Sequence, residues 1–150
     1  MQWDLPDPHL YRMVVEQGDI DQMGHANNAA YVQWLERVAW DHTHAVGLSW
    51  DVYKQLNRGF VARHTEIEYL APALVGDRLH LATWIVENDQ RISMIRRYQM
   101  IRESDGQTLV RAKTRWICVA IDSGKPRRMP PEFANAYPVT PESAVRSNQA

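Results

Sequence analysis

Between Asn28 and Val46 the chain carries its one long helical stripe. Tyr31, Trp34, Leu35, Val38, His42 and Ala45 recur there at spacings of three and four. Val32, Ala39 and Val46 widen that stripe, while Gln33, Arg37 and Asp41 follow one another at i, i+4 on another side. Gly47 stands where a C-terminal cap is expected. So broad an apolar face has to be buried against other structure, and the rest of the sequence offers mainly strands.

Before the stripe, LYRMVVEQ (10–17) reads as a short strand and Gly18 to Gly24 as a loop. After it, SWDVYKQLN (49–57) predicts a short second helix with Ser49 as its N-cap. Four strand-like runs follow, at 59–72, 76–88, 91–104 and 108–122. The polar NDQ at 88–90 marks one turn, and Asp105–Gly106 predicts a type I′ hairpin. Strand, helix and then four strands on short connections specify an α+β domain, in which one antiparallel sheet covers the helix. Without alternating β-α units, a doubly wound sheet is excluded. A single domain over 1–150 is expected, with its core at about 10–133. The Pro-rich segment SGKPRRMPPEFANAYPVTPES (123–143), with a tail at 134–150, is expected to be irregular, wrapping the surface or partly disordered.

Charge and composition remove several classes of function. At a net charge of −1 the molecule has no overall attraction for nucleic acid or an anionic membrane. No apolar run approaches the ~20 residues of a membrane span, and MQWDLPDPHL lacks the basic and apolar regions of a signal peptide. Cys118, the one cysteine, cannot form an internal disulfide and fits a reducing compartment, so a cytoplasmic protein is expected. Within RWICVAI it reads as a core thiol. The six tryptophans suit either a Trp-rich core or a subunit interface.

Polar groups concentrate just before the stripe, in GDIDQMGHANNAAY (18–31). Asp19, Asp21, Asn27 and Asn28 are residue types that cap helices and build turns. The same residues also suit chemistry: a carboxylate beside a helix N-terminus could attack a carbonyl or deprotonate a water, and unpaired amides could hold the developing oxyanion. A metal on Asp19, Asp21 and His25 is disfavoured, because the other histidines show no recurring ligand spacing. His42 and His44, two apart on a helix, point to nearly opposite sides. No G-x-S-x-G elbow is present for a serine nucleophile.

The stretch through Asp19, Asp21, Gly24, His25, Asn27, Asn28, Tyr31 and Glu36 resembles the signature of hot-dog-fold acyl-CoA thioesterases of the 4-hydroxybenzoyl-CoA thioesterase-like group. IEYLAPALVGDRL is similar to that family's strand–turn segment at Tyr69, Pro72, Gly76 and Asp77. The resemblance implies a hot-dog fold, a long helix wrapped by a curved antiparallel sheet of about five strands. It also implies a homodimer whose sheets join, or a tetramer built from two such dimers, with sites between subunits. The implied substrate is an acyl-CoA, or an acyl carrier protein thioester, and coenzyme A enters only as part of the substrate, with no cofactor or metal.

By the same resemblance Asp21 is the catalytic carboxylate, as nucleophile or general base. Gly24 and the backbone after it approach the thioester carbonyl, and His25 orients the carboxylate or water, or assists the leaving thiolate. Asn27 and Asn28 support the helix entry, Tyr31 and Glu36 are structural, and Asp19 shapes the loop. His64 and Thr65 are candidates to reach a partner subunit's site, and Arg91, Arg127 and Arg128 are candidate cations for coenzyme A. Two other readings carry the same fold. One is a hydratase or dehydratase, whose proline-containing D-x-N-P-x-H element DQMGH lacks. The other is a non-catalytic acyl-CoA-binding protein.

Overall fold

The computed structural model describes residues 1–145. Its elements in chain order are β1 (His9–Val14), α1 (Asn28–Ala45), α2 (Trp50–Leu56), β2 (Gly59–Tyr69), β3 (Arg78–Asn88), β4 (Ser93–Arg102), β5 (Thr108–Val119) and α3 (Pro131–Ala134). The five strands form one antiparallel sheet in the order β1-β3-β4-β5-β2. This is the α+β, hot-dog arrangement the sequence leads one to expect.

Both helix starts are capped as the sequence predicts, by Asn27 onto the Ala30 amide and by Ser49 onto the Val52 amide. Gly47 takes a φ of 89° just past the end of α1, a conformation that costs glycine little. The stripe of α1 buries Tyr31, Trp34, Leu35 and Val38 against Leu79, Leu81, Tyr98, Met100 and Val110 of the sheet. Three bulges interrupt the ladders, at Ala62/His64, Ile85/Glu87 and Met100/Ile101. Bulges of this kind bend the strands that carry them and let a sheet curve around a helix.

The core reaches past the 10–133 stretch on both sides. Trp3 and Leu5 pack with Ala82, Trp84, Val86 and Ile101. β3 is consequently buried along nearly its whole length, with no alternation of burial. The expected surface-wrapping tail, of which residues 146–150 lie outside the described residues, is corrected in part. Pro131 opens α3, where a fixed φ is favourable, and Phe133 and Tyr137 are buried with Tyr53, Ile85 and Met94. The Thr140 amide then bonds the Ile85 carbonyl beside β3, beyond the point where β1 pairing stops at His9 and Thr83.

The type I′ expectation for Asp105–Gly106 is also corrected. Gly106 has a φ of 70° but Asp105 is not at positive φ, and a type I′ turn needs both. The connection is a longer loop in which the Gly106 amide bonds the Arg102 carbonyl and the Gln107 amide bonds the Asp105 side chain. Among the described residues no helix is long and apolar enough to cross a membrane.

Candidate active site

The polar stretch before α1 folds as a small hairpin that ends in a helix cap. Asp19 accepts the Glu16 amide through Oδ2 at 3.0 Å and donates its own amide to the Glu16 carbonyl at 3.0 Å. Ile20 and Ala26 then pair, the Asp21 amide bonds the His25 carbonyl at 2.8 Å, and the Gly24 amide returns to the Asp21 carbonyl at 3.1 Å. Gly24 makes this reversal at a φ of 81°, a region where a side chain is strained. Both of these Asp19 bonds stay within the loop.

Asp21 lies exposed at the base of this hairpin. Its Oδ1 accepts the amides of Met23 at 2.8 Å and His25 at 3.3 Å, the pattern in which an aspartate shapes its own turn. Among the described residues Oδ2 accepts no hydrogen bond. One oxygen therefore holds the carboxylate in place and the other is open to a reactant. Every hydrogen bond between His25 and Asp21 involves the His25 backbone, and the half-buried imidazole has no protein partner among the described residues.

Asn27 links this hairpin to the helix. Its Nδ2 and its amide both donate to the Asp19 carbonyl, at 3.1 and 2.8 Å, and its Oδ1 accepts the Ala30 amide at 2.8 Å. The amides of Asn28 and Ala29 then have no acceptor among the described residues, as first-turn amides lack an intrahelical one. The Gly24 amide is already used within the loop, whereas those of the helix start are free. An anionic oxygen suits such a place.

Tyr31 closes the floor of the site. It is 3% exposed, and its hydroxyl accepts the Ala73 amide at 2.9 Å. Its ring meets Trp34 and Tyr69 edge-on at centroid distances of 5.0 and 5.3 Å. Burial raises its pKa, and Asp21 is among the charges it senses. The Pro72–Asp77 turn is structural: Asp77 Oδ2 accepts the Leu74 amide and Arg102 Nη1, at 2.9 and 3.0 Å, and Arg102 Nη1 also donates to the Pro72 carbonyl. Arg102 was not singled out from sequence. Its position one strand-end away from Asp77 depends on the β3–β4 register.

Other candidates lie elsewhere. His64 and Thr65 are exposed on β2, an edge strand of the sheet, with Thr65 Oγ1 3.0 Å from Thr114 Oγ1 and His64 Nδ1 3.9 Å from Glu66. Arg91 and the Arg127–Arg128 segment are brought together, since the Met129 amide bonds the Arg91 carbonyl. That group sits at the start of β4, whereas Arg102, near Tyr31, sits at its end, roughly 30 Å away along the strand. Within one protomer the three arginines are therefore not beside Asp21. Cys118 is fully buried and its thiol is pushed up to about 11 by burial, which leaves it a core group.

Glu36 is exposed, because it lies off the apolar stripe of α1. It stands at a cavity of about 290 Å³ between the second half of α1, the start of β2 and the start of β4. Trp40, Tyr53, Phe60, Trp116 and Tyr137 supply aromatic walls, and Arg96 supplies a charge. The strand pattern carried a signal for Arg96, which shares the parity of Met94, Tyr98 and Met100 on the buried face of β4.

Comparison with known proteins bears on this geometry. Residues 15–137 match the model of the thioesterase-like superfamily. A 1,4-dihydroxy-2-naphthoyl-CoA thioesterase from Synechocystis superposes with a TM-score of 0.77 at 22% identity, over 87% of this chain and 95% of that one. The probable thioesterase YbaW from Escherichia coli gives 0.74 at 23% identity, over 92% and 99%. Protein SAV2348 from Staphylococcus aureus, solved in complex with CoA, gives 0.79 at 16% identity, over 93% and 91%. No curated protein matches the sequence. A match across most of the chain, on a hot-dog fold that these structures share, establishes that the chain belongs to the thioesterase-like superfamily.

Proposed function

We propose that the protein hydrolyses acyl-CoA thioesters, with Asp21 as the reacting carboxylate. The observation that carries this reading is the division of labour within one side chain: Oδ1 is fixed by two amides while Oδ2 is open. A thioester carbonyl received by the amides of Asn28 and Ala29 would have its developing negative charge stabilised there. Oδ2 then attacks the carbonyl carbon, or takes a proton from a water that does. The tetrahedral intermediate collapses with cleavage of the C–S bond, and coenzyme A leaves as its thiolate. Attack by Oδ2 itself leaves an anhydride that water cleaves. The unpartnered His25 imidazole is suited to donate a hydrogen bond to the departing thiolate. The structure of SAV2348 in complex with CoA supports a CoA-type ligand for this fold.

The site is completed in a homodimer. β2 is eleven residues long, lies at the sheet edge and is exposed along most of its length, with Val61 and Tyr69 among its exposed apolar residues. Such an edge invites pairing, and an antiparallel pairing with a second copy satisfies both edges through one two-fold axis. It brings the start of β2 in one protomer beside the end of β2 in its partner. Tyr69, which touches Tyr31, then lies near the partner's end of the sheet that carries the cavity and the arginine group. His64 and Thr65 fall at the middle of that seam.

The test is thiol release from a panel of acyl-CoAs, measured for the wild type and Asp21→Asn. Asparagine keeps an oxygen for the Met23 and His25 amides and removes the charge. Release should fall by about 10²-fold or more, the scale of a catalytic acid or base. Equal rates would remove Asp21 from the reaction, and tight binding without release would favour a non-catalytic acyl-CoA-binding protein.

A further inference from the structure

Arg96 is 1% exposed, yet none of the ion pairs among the described residues includes it. Its Nη1 donates to His42 Nδ1 at 2.9 Å and to Thr83 Oγ1 at 3.1 Å, both neutral acceptors. Its guanidinium stacks near the Tyr137 ring at 5.5 Å, and its Nε has no acceptor. His42 cannot compensate the charge, since an imidazole is neutral or cationic; burial first and then Arg96 itself depress its pKa to about 3, which keeps it a neutral acceptor. Beyond His42 the stacked His9 is paired with Asp41, so that carboxylate is engaged elsewhere. Glu36, the acid on the cavity rim, is exposed to water.

A buried guanidinium without a carboxylate is strongly unfavourable unless something supplies the missing charge. Here it lines a cavity whose other walls are mainly apolar. The 290 Å³ correspond to about ten water volumes, enough for a short acyl group. We propose that this cavity receives the far end of the acyl group and that Arg96 selects thioesters whose acyl chain ends in a carboxylate. The assignment rests on the thioester reading above, and it adds the substrate class. In the paired dimer the cavity of one protomer faces the Asp21 end of its partner, so the two parts of one acyl chain are read by different subunits.

Adipoyl-CoA and hexanoyl-CoA, equal in carbon number and differing in the terminal carboxylate, test it. Wild-type kcat/KM should favour adipoyl-CoA by at least about tenfold, as a charge-assisted contact does. Arg96→Met should abolish the preference, and Arg96→Lys should keep part of it. Hexanoyl-CoA used as well as adipoyl-CoA by the wild type would overturn the proposal, whether or not the variants fold. A second arm separates this from failure of the thioester reading itself. If neither acyl-CoA releases thiol, adipate should still raise the Tm of the wild type where hexanoate does not. Equal shifts, or none, would sink the assignment of Arg96.

Discussion

The Tyr31 hydroxyl accepts the amide of Ala73 at 2.9 Å, while the Ala73 carbonyl accepts the amide of Ala26 at 2.9 Å. One residue of the turn between β2 and β3 is thereby held from both sides by the segment that carries Asp21 and the start of α1. The two blocks of the thioesterase signature, far apart in sequence, are coupled through this point. Arg102 adds a third tie, to the Pro72 carbonyl and to Asp77.

Tyr31→Phe removes the acceptor of a buried amide and leaves the ring contacts with Trp34 and Tyr69 in place. The cost should be about 1–3 kcal/mol, the penalty for an orphaned buried donor. Urea denaturation measures it. A catalytic role for the hydroxyl would instead lower kcat with stability unchanged.

Local features of this fold were legible because their causes are local. Asn27, Ser49 and Gly47 act within one turn of their own helices, and the stripe of α1 needs only the helical period. The loop at Asp105 was misread because a type I′ turn depends on two backbone angles, and here Arg102, Gln107 and Asp105 bond one another to stabilise a longer loop. At the site, Asp21 was legible as a residue, but the inequality of its two oxygens required the hairpin that Gly24 closes. Arg91, Arg127 and Arg128 are marked in the sequence by their charge and their place at a strand start and in the tail. Their distance from Tyr31 follows from strand direction, which no single residue states. Arg96 and Arg97 side by side look like a solvated strand, and only the parity that Arg96 shares with Met94, Tyr98 and Met100 turns it inward.

His42 makes stability depend on pH. Its pKa is about 3 in the folded protein, against the ordinary 6.5 when unfolded. Between those values the unfolded chain binds the extra proton, so this contribution is complete above about pH 6.5 and is lost as pH falls towards 3. The slope should approach 1.4 kcal/mol per pH unit below pH 6, as one proton requires. Urea unfolding at pH 7, 6 and 5 gives the slope for the wild type and for His42→Asn, which keeps an acceptor for Arg96 but does not titrate. Identical slopes in the two proteins would show that His42 is not the group responsible.

The dimer and the two ends of the acyl chain meet in one last experiment. Asp21→Asn and Arg96→Met subunits, carrying different tags, are co-expressed and the mixed dimer is purified. If Asp21 of one protomer works with the cavity of the other, the mixed dimer has one site with both defects and one with neither. It should hydrolyse adipoyl-CoA at about half the wild-type rate, although each parent homodimer is deficient. If both residues act within one protomer, each site keeps one defect and no activity is regained. A protein that runs as a 17.4 kDa monomer in light scattering would remove the shared site altogether. Recovery to half therefore reports the β2 seam and the Arg96 cavity together, and its absence in a stable dimer would place the acyl pocket within the Asp21 protomer.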